Sequence, residues 1–470
     1  MVKMTDGRTR NLLLAVADAI CVCLAWAFVV WAYKAVGLGH HYDEEFYFRM
    51  WPVVPAFIGV NVLFRLYHGR FWYPAAPLPP AEEMRRLFGS AAIVHAGVLV
   101  FLVLSYQTTR GYSRFIVIAS GVLVAIFAPL FRDLARYLMS KCGIGLIPVV
   151  VVGSGDAARQ AIDAIRSDNH VGFRPVGYFD DVKRPVEGMG CLGGLRDVVE
   201  VSRRLGVKTL VACEDIRIFR SQFQDFSEWF LHIEYIPAVH SFPVHGSRAF
   251  SCGGRSGLEL VNQRRMQALR VEKWILDKML SVLAFLVLLP IMAIIAVIVK
   301  ITSRGPVLFG HTRIGKGGRK FRCWKFRTMY VDADQRLERI LSSNPSAAAE
   351  WNTNFKLKND PRVTPFGKFL RKTSLDEIPQ FFNVFAGTMA LVGPRPIVDG
   401  EVPFYGEDFR VFSIVKPGVT GLWQVSGRSD TGYTRRVALD VEYVMNWSPW
   451  LDIWILLRTV VSVVTLRGAC

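Results

Sequence analysis

The chain has 470 residues, 51% of them hydrophobic, and carries 57 Lys and Arg against 39 Asp and Glu for a net charge of +18. That apolarity exceeds what a soluble enzyme of this size needs, and cations beside apolar spans are drawn to anionic headgroups or phosphorylated substrates. The lack of a basic recognition helix, zinc-finger spacing or aromatic RNA-binding signature weighs against a nucleic-acid partner. Eight scattered cysteines without a C-x-x-C pair indicate neither a zinc site nor a disulfide framework, and fit a reducing compartment.

Residues 1–10 contain Lys3, Arg8 and Arg10 and lead into an apolar run too long for a signal-peptide core, which reads as a retained anchor. Four apolar runs, 12–33, 51–66, 90–104 and 115–131, approach or reach the length that spans a bilayer, the second and third being short. Arg65, Arg70, Arg85 and Arg86 flank the second connection, and Arg132, Arg136 and Lys141 follow the fourth run. The first connection instead carries Asp43, Glu44 and Glu45. The positive-inside rule therefore puts both ends of a four-helix transmembrane domain, residues 1–140, in the cytoplasm; Arg110 and Arg114 in the third connection are a mild exception. The runs hold few ionisable residues, which argues against a transport path.

Residues 147–250 read as a Rossmann-like α/β domain. Residues 147–152 (IPVVVV) have a buried-strand pattern, Gly153-Ser154-Gly155-Asp156-Ala157-Ala158 opens a helix, residues 175–181 form a second strand ending in acid, and residues 209–212 supply a third. The glycines approximate G-x-G-x-x-G/A, which either lets a dinucleotide phosphate approach a helix N-terminus or only makes the tight strand-to-helix turn. A fifth apolar segment, 271–300, is interrupted by Pro290 and flanked by cations at both ends: Arg264, Arg265, Arg270 and Lys273 before it, Lys300 and Arg304 after. A simple crossing would carry everything after it out of the cell, away from nucleotide-activated substrates. The reading is a re-entrant helical hairpin over 274–299, bent at Pro290, with Lys273 and Asp277 near the cytoplasmic surface. Near the end, Trp447, Trp450 and Trp454 with Leu451, Ile453, Ile455, Val460 and Val461 suit a membrane interface.

The chemistry concentrates at residues 371–380, Arg371-Lys372-Thr373-Ser374-Leu375-Asp376-Glu377-Ile378-Pro379-Gln380, where adjacent carboxylates follow two cations. Cations hold a neighbouring carboxylate ionised, available as a nucleophile or a metal ligand. Lys325-Phe326-Arg327, Gly393-Pro394-Arg395-Pro396 and residues 416–421 (KPGVTG) each join cations to turn formers, the composition of an anion site. After residue 250 only His311 could compete for an acid–base role, and it reads as structural.

Together with Lys273-x-x-x-Asp277 and Pro290, residues 310–315 (GHTRIG) and residues 418–428 (GVTGLWQVSGR), these strings resemble the bacterial sugar transferases that load hexose-1-phosphate onto a polyprenyl phosphate. The resemblance covers residues 264–470 most specifically and, with the spans and the middle domain, essentially the whole chain. It implies an α/β monotopic catalytic domain with a re-entrant membrane helix, in a bacterial inner-membrane protein whose active site faces the cytoplasm. It also implies transfer from a UDP-hexose, galactose or glucose, to undecaprenyl phosphate with release of UMP, as the first step of O-antigen, capsule or exopolysaccharide synthesis; a homodimer is compatible with it. In that family Asp376 would attack the sugar-bearing phosphorus and hold the phosphosugar covalently, and Glu377 would help bind Mg²⁺. Lys325, Arg327, Arg371, Arg395 and Arg428 would contact phosphate, nucleotide or sugar. The rival reading is a membrane-tethered, NAD-dependent nucleotide-sugar dehydratase or epimerase. Such enzymes commonly use Tyr-x-x-x-Lys downstream of the glycine loop, and the only such pair, Tyr137 and Lys141, lies upstream.

Overall fold

The computed structural model describes residues 7–36, 50–67, 78–104, 113–167, 172–182, 185–213, 216–236, 247–252, 255–260, 267–343, 360, 362–426 and 432–464. The chain divides into two compact units, residues 1–240 and 241–470.

The first unit opens with four apolar helices, α1 (Gly7–Ala35), α2 (Val53–Leu63), α3 (Pro80–Leu104) and α4 (Arg114–Cys142). Three are long and apolar enough to cross a membrane, whereas α2, with 11 residues, rises only about 16 Å. Trp26, Phe57, Leu87, Leu102, Val117 and Val124 fill the space between them, while Leu24, Phe28, Trp31, Ile93, Phe101 and Phe127 point outward. Helices apolar on every side need a hydrocarbon solvent. The interior nevertheless holds charge. Arg132 is fully buried and donates through Nε and Nη2 to both oxygens of Asp18, at 2.8 and 2.6 Å, and through Nη1 to Glu83 at 2.9 Å and to the Leu66 carbonyl. Arg136 donates to Glu83 at 2.5 Å, Asn61 to Asp18 at 3.1 Å, and Tyr67 to Asp18 as well. Hydropathy conceals this cluster, which ties all four helices together. In hydrocarbon each partner is satisfied only by the others.

The unit continues into β1 (Ile147–Val152), α5 (Asp156–Ser167), β2 (Phe173–Phe179), β3 (Cys191–Gly193), α6 (Val198–Leu205), β4 (Thr209–Ala212), α7 (Ile216–Trp229) and β5 (His232–Tyr235). The five strands form one parallel sheet in the order β3-β2-β1-β4-β5. Strand β1 explains its own centrality, because its valines are buried on both faces. Val149 and Val151 pack with Ala158, Ile162 and Ile165 of α5, and Val150 and Val152 with Val198, Phe226 and Phe230. Gly153, at φ 110°, makes the exit turn. The buried Ser154 hydroxyl donates to Asp180, the acid that ends β2, so that carboxylate is engaged by the turn itself.

The second unit starts with the antiparallel pair β6 (Ser247–Cys252) and β7 (Arg255–Leu260) and then the membrane helix α8 (Gln267–Thr302). α8 runs as one helix of 36 residues with Pro290, the place of the expected re-entrant bend, inside it. One side of α8 packs on the rest of the unit: Phe285 meets Phe382 and Phe385, and Met292, Ile295 and Val299 bury against Phe326, Leu370 and Ile378. The other side exposes Leu283, Leu286, Val287, Ile294 and Val297.

Against α8 lie the antiparallel pair β8 (Leu308–Ile314) and β9 (Lys320–Phe326), helices α9 (Pro365–Thr373) and α10 (Gln380–Phe385), and the parallel pair β10 (Ala390–Val392) and β11 (Gly418–Thr420). The unit closes with α11 (Leu422–Val425), α12 (Tyr433–Met445) and α13 (Pro449–Val464). The tryptophan stripe divides here. Trp447, Leu451 and Ile455 are core residues, because Trp447 donates to a buried carboxylate and the α13 face beneath it is covered; Val460 and Val461 remain exposed.

Candidate active site

The acidic pair is placed by its flanks. Thr364 caps α9 through its hydroxyl, which accepts from the Gly367 N–H, and Pro365 takes the first helical position. The helix ends at Ser374, a non-glycine residue at φ 58°, and the chain then makes one 3₁₀ turn, residues 375–377, rather than continuing as α-helix. Three residues per turn separate neighbouring side chains by about 120°. Leu370, Leu375 and Ile378 are held in the apolar layer against α8, which leaves Asp376 and Glu377 to diverge above it.

Asp376 is 8% exposed, and its carboxylate lies 3.9 Å from the Lys325 ammonium of β9; Glu377 takes the closer approach to the same ammonium, 2.5 Å. The two acids consequently separate in acidity. Burial pushes Asp376 up to about 6, against the pull of Lys325 and with the added repulsion of Glu377. For Glu377 burial acts upward too, but the attraction and hydrogen bond of Lys325, then Arg395 and Arg313, hold it below its ordinary value. One carboxyl poised near neutrality beside one firmly ionised is the arrangement that assigns two acids different tasks.

A cavity opens beside Glu377, lined by Arg313, Lys325, Gln380, Arg395 and Gln424, with the Cys323 thiol, raised by burial, in its wall. Arg395 reaches it because three glycines let two loops touch. A Cβ on Gly393 would lie 2.5 Å from the Lys416 carbonyl, one on Gly418 2.1 Å from the Gly393 nitrogen, and one on Gly421 2.2 Å from the Gly393 carbonyl. The glycines of the Gly-Pro-Arg-Pro and Lys-Pro-Gly strings thus serve a close approach of backbones. The Arg395 guanidinium lies over the Trp423 ring at 5.3 Å and, among the described residues, makes no hydrogen bond or ion pair. Arg313, from β8, donates to the Pro396 carbonyl at 3.4 Å and lies 3.6 Å from Glu401, and burial, then the charge of Arg395, lowers its pKa. Arg436 shares Glu401 at 3.4 Å and stacks on Trp423 from α12. The cavity therefore holds more cations than carboxylates, a surplus suited to an anionic ligand.

Of the residues expected from sequence, Lys325, Glu377 and Arg395 line this cavity, and Asp376 stands behind Lys325. Arg371 donates to the Thr328 hydroxyl, and its charge acts on Asp376. Arg327 lies elsewhere, donating to the Ser303 carbonyl just past the end of α8. Arg428 falls outside the described residues. Lys273 and Asp277 form an ion pair at the start of α8, 3.5 Å apart. Sequence reasoning missed Arg313, Gln380, Gln424 and Arg436. Arg313 sits inside the GHTRIG string, already singled out beside the other cation-bearing strings, and could have been found there; Arg436 carried no such signal.

The donors also bear on a metal. Among the described residues no three His, Cys, Asp or Glu side chains cluster as a closed cage. The donor on offer is the hard, ionised carboxylate of Glu377 facing a phosphate-sized space, which fits Mg²⁺, an ion usually held by one or two carboxylates, water and substrate phosphates.

Comparison with known proteins agrees with this geometry. Residues 268–466 match the family model of the bacterial sugar transferases, and residues 78–234 match that of a CoA-binding domain. The chain is similar to the undecaprenyl-phosphate galactose phosphotransferase of Salmonella typhimurium, 34% identical over 412 residues covering 86% of this chain and 83% of that one. It is 33% identical over 416 residues to the UDP-galactose-lipid carrier transferase of Erwinia amylovora, covering 86% and 83%. It is 30% identical over 428 residues to the UDP-glucose:undecaprenyl-phosphate glucose-1-phosphate transferase of Xanthomonas campestris pv. campestris, covering 87% and 84%. These matches leave the dehydratase or epimerase alternative without support. With its apolar helices, its cation-lined cavity and its relatives in view, the chain belongs to the bacterial sugar transferases, membrane enzymes that transfer a sugar phosphate to a polyprenyl-phosphate lipid carrier in polysaccharide synthesis.

Proposed function

We propose that the chain transfers hexose-1-phosphate from a UDP-hexose to undecaprenyl phosphate through a covalent intermediate on Asp376. The observation that carries this reading is the divergence of the acidic pair: Asp376 is buried, near neutrality in acidity and free of a close ion pair, while Glu377 is ionised and bound to Lys325. In the first half-reaction a carboxylate oxygen of Asp376 attacks the sugar-bearing phosphorus, the bond from that phosphorus to the bridging oxygen breaks, and UMP leaves with the electron pair. In the second, an oxygen of undecaprenyl phosphate attacks the same phosphorus, and the Asp376 carboxylate departs. Lys325, Arg313 and Arg395 supply the positive field in which the displaced charge develops. Glu377 would hold Mg²⁺, which when bound neutralises diphosphate charge. Galactose is the favoured hexose, because the two relatives named for galactose exceed in identity the one named for glucose.

The membrane geometry supports an active site on the cytoplasmic face of the inner membrane. Positions 278 and 299 of α8 are about 32 Å apart, the thickness of the hydrocarbon core. Yet Lys278 bonds the end of α10 while Val299 packs with Leu370 and Ile378, just before α10. A straight crossing would strand one of those contacts, so both ends of α8 belong on one side. The test is intact-protein mass spectrometry after incubation with UDP-galactose or UDP-glucose and no acceptor: a hexose-phosphate adduct with about one UMP released per site supports the reading, and release of UMP only when acceptor is present sinks it.

A further inference from the structure

Three of the segments that line the cavity carry a cationic tie to α8 or to the residue just past its end. Lys273 donates to the Val392 carbonyl at 3.2 Å, three residues before Arg395. Lys278 donates to the carbonyls of Val384 and Phe385, at 3.0 and 2.8 Å, capping the end of α10, whose first residue is Gln380. Arg327, two residues after Lys325, donates to Ser303 at 2.5 Å. Only the first tie joins buried opposite charges. Lys273 lies 2.7 Å from Asp452 of α13, a carboxylate 6% exposed that also accepts from Trp447 Nε1 at 3.0 Å and, through its other oxygen, from the Tyr443 hydroxyl at 2.8 Å. Three donors thus hold the Asp452 carboxylate, and the two ring donors fix where it sits before Lys273 arrives.

We propose that Lys273 and Asp452 are a positioning pair that sets how the membrane helix presents the cavity to the lipid acceptor, and so governs the second half-reaction more than the first; this rests on the two-step transfer described above. The cavity wall survives without the pair. The Tyr443 hydroxyl lies 3.0 Å from the Val392 carbonyl and can turn its one proton from Asp452 to it when that carboxylate is replaced, and β10 keeps its pairing with β11. The start of α8, in contrast, loses its one charged anchor on α13, and the lipid phosphate is the substrate whose position depends on that helix. UDP-sugar arrives from water and is indifferent to it.

The experiment uses the full chain in nanodiscs, comparing the parent with Lys273→Met, Asp452→Asn and Lys273→Arg. UMP release is followed first without acceptor and then after addition of undecaprenyl phosphate. The expected result for the first two variants is a UMP burst within about twofold of the parent and an acceptor step slowed roughly 10- to 100-fold, the scale at which a displacement near 1 Å is felt, with a raised KM for undecaprenyl phosphate only. Lys273→Arg, which keeps the charge, should recover most of the rate. Equal slowing of both half-reactions would reduce the pair to a structural brace, and no slowing of either would remove it from the mechanism. If the parent itself gives no burst, the covalent reading fails; the pair is then judged by whether the variants raise the steady-state KM for the lipid and not for the UDP-sugar.

Discussion

In the helical bundle Arg132 gives its N–H groups to Asp18, Glu83 and a backbone carbonyl, whereas in the cavity of the second unit Arg395 gives none to any described residue and rests on the face of Trp423. Both settings bury guanidinium groups near carboxylates. In the first, Asp18, Glu83 and Asp133 against Arg132 and Arg136 leave no positive charge over, so the cluster is closed and serves to fix four helices. In the second, Lys325, Arg313 and Arg395 face Glu377 and a shared Glu401, so positive charge is left over for an anionic substrate. The same chemistry is structural when its valences are filled and functional when they are not.

The sharpest test of the open cluster is Asp376→Asn, which removes the attacking oxygen's charge: turnover should fall by about 10⁴-fold or more, with loss of the adduct in the mass spectrum while nucleotide binding, read by calorimetry, persists. The closed cluster breaks differently. Arg132→Met leaves Asp18 and Glu83 facing each other's charge in hydrocarbon and should cost about 3–5 kcal/mol, measured as loss of thermal stability in detergent, with the sugar-transfer site chemically intact. Next in size, Arg395→Ala should lower the rate of UMP release by about 10²-fold, since a free guanidinium acts on charge developing at phosphate. Arg313→Ala should lose less, because Glu401 already shares that charge.

The smallest effect is that of pH. In the proposed transfer only the carboxylate form of Asp376 can attack, and burial pushes its pKa up to about 6. The rate of UMP release should drop about tenfold between pH 7 and 5 and reach a plateau above 7. Stability runs the opposite way for this group. Its folded pKa lies above the ordinary 3.8, so its contribution to folding is complete below that value and is lost as pH rises through about 6. Glu377, lowered by Lys325, contributes above its ordinary 4.5 and loses that contribution as pH falls through its folded value. A pH-rate profile flat between 5 and 7 would mean that Asp376 is not the group that titrates.

Much of the site was legible because motif residues are forced by backbone geometry. The glycines around Arg395 permit one loop contact, and Asp376 and Glu377 follow a turn that a helical period does not predict. Arg327 shows the limit of adjacency: it is two residues from Lys325, and in the extended backbone before it alternate side chains share a face, yet the chain leaves β9 at Phe326 and turns Arg327 towards Ser303. In the sheet, β1 was plain from four buried valines, but β3, with three residues, offers no period to detect. The bundle's charges were invisible for another reason. A hydropathy window averages Asp18 into its neighbours, and only the fold shows that it meets Arg132, 114 positions away. That α8 stays helical through Pro290 was likewise beyond the sequence, since a proline can end a helix or be carried within it.

The outward face of α8, with Leu283, Leu286, Val287, Ile294 and Val297 bare, confines the enzyme to a sheet of lipid. Its lipid-carrier acceptor is confined to the same sheet, so the two meet by diffusion in a plane, and the quantity that governs their encounter is the mole fraction of that carrier among the surrounding lipids rather than its molarity in the tube. Adding inert lipid or detergent at constant total acceptor would therefore slow the second step by surface dilution while leaving the reaction with water-borne UDP-sugar untouched.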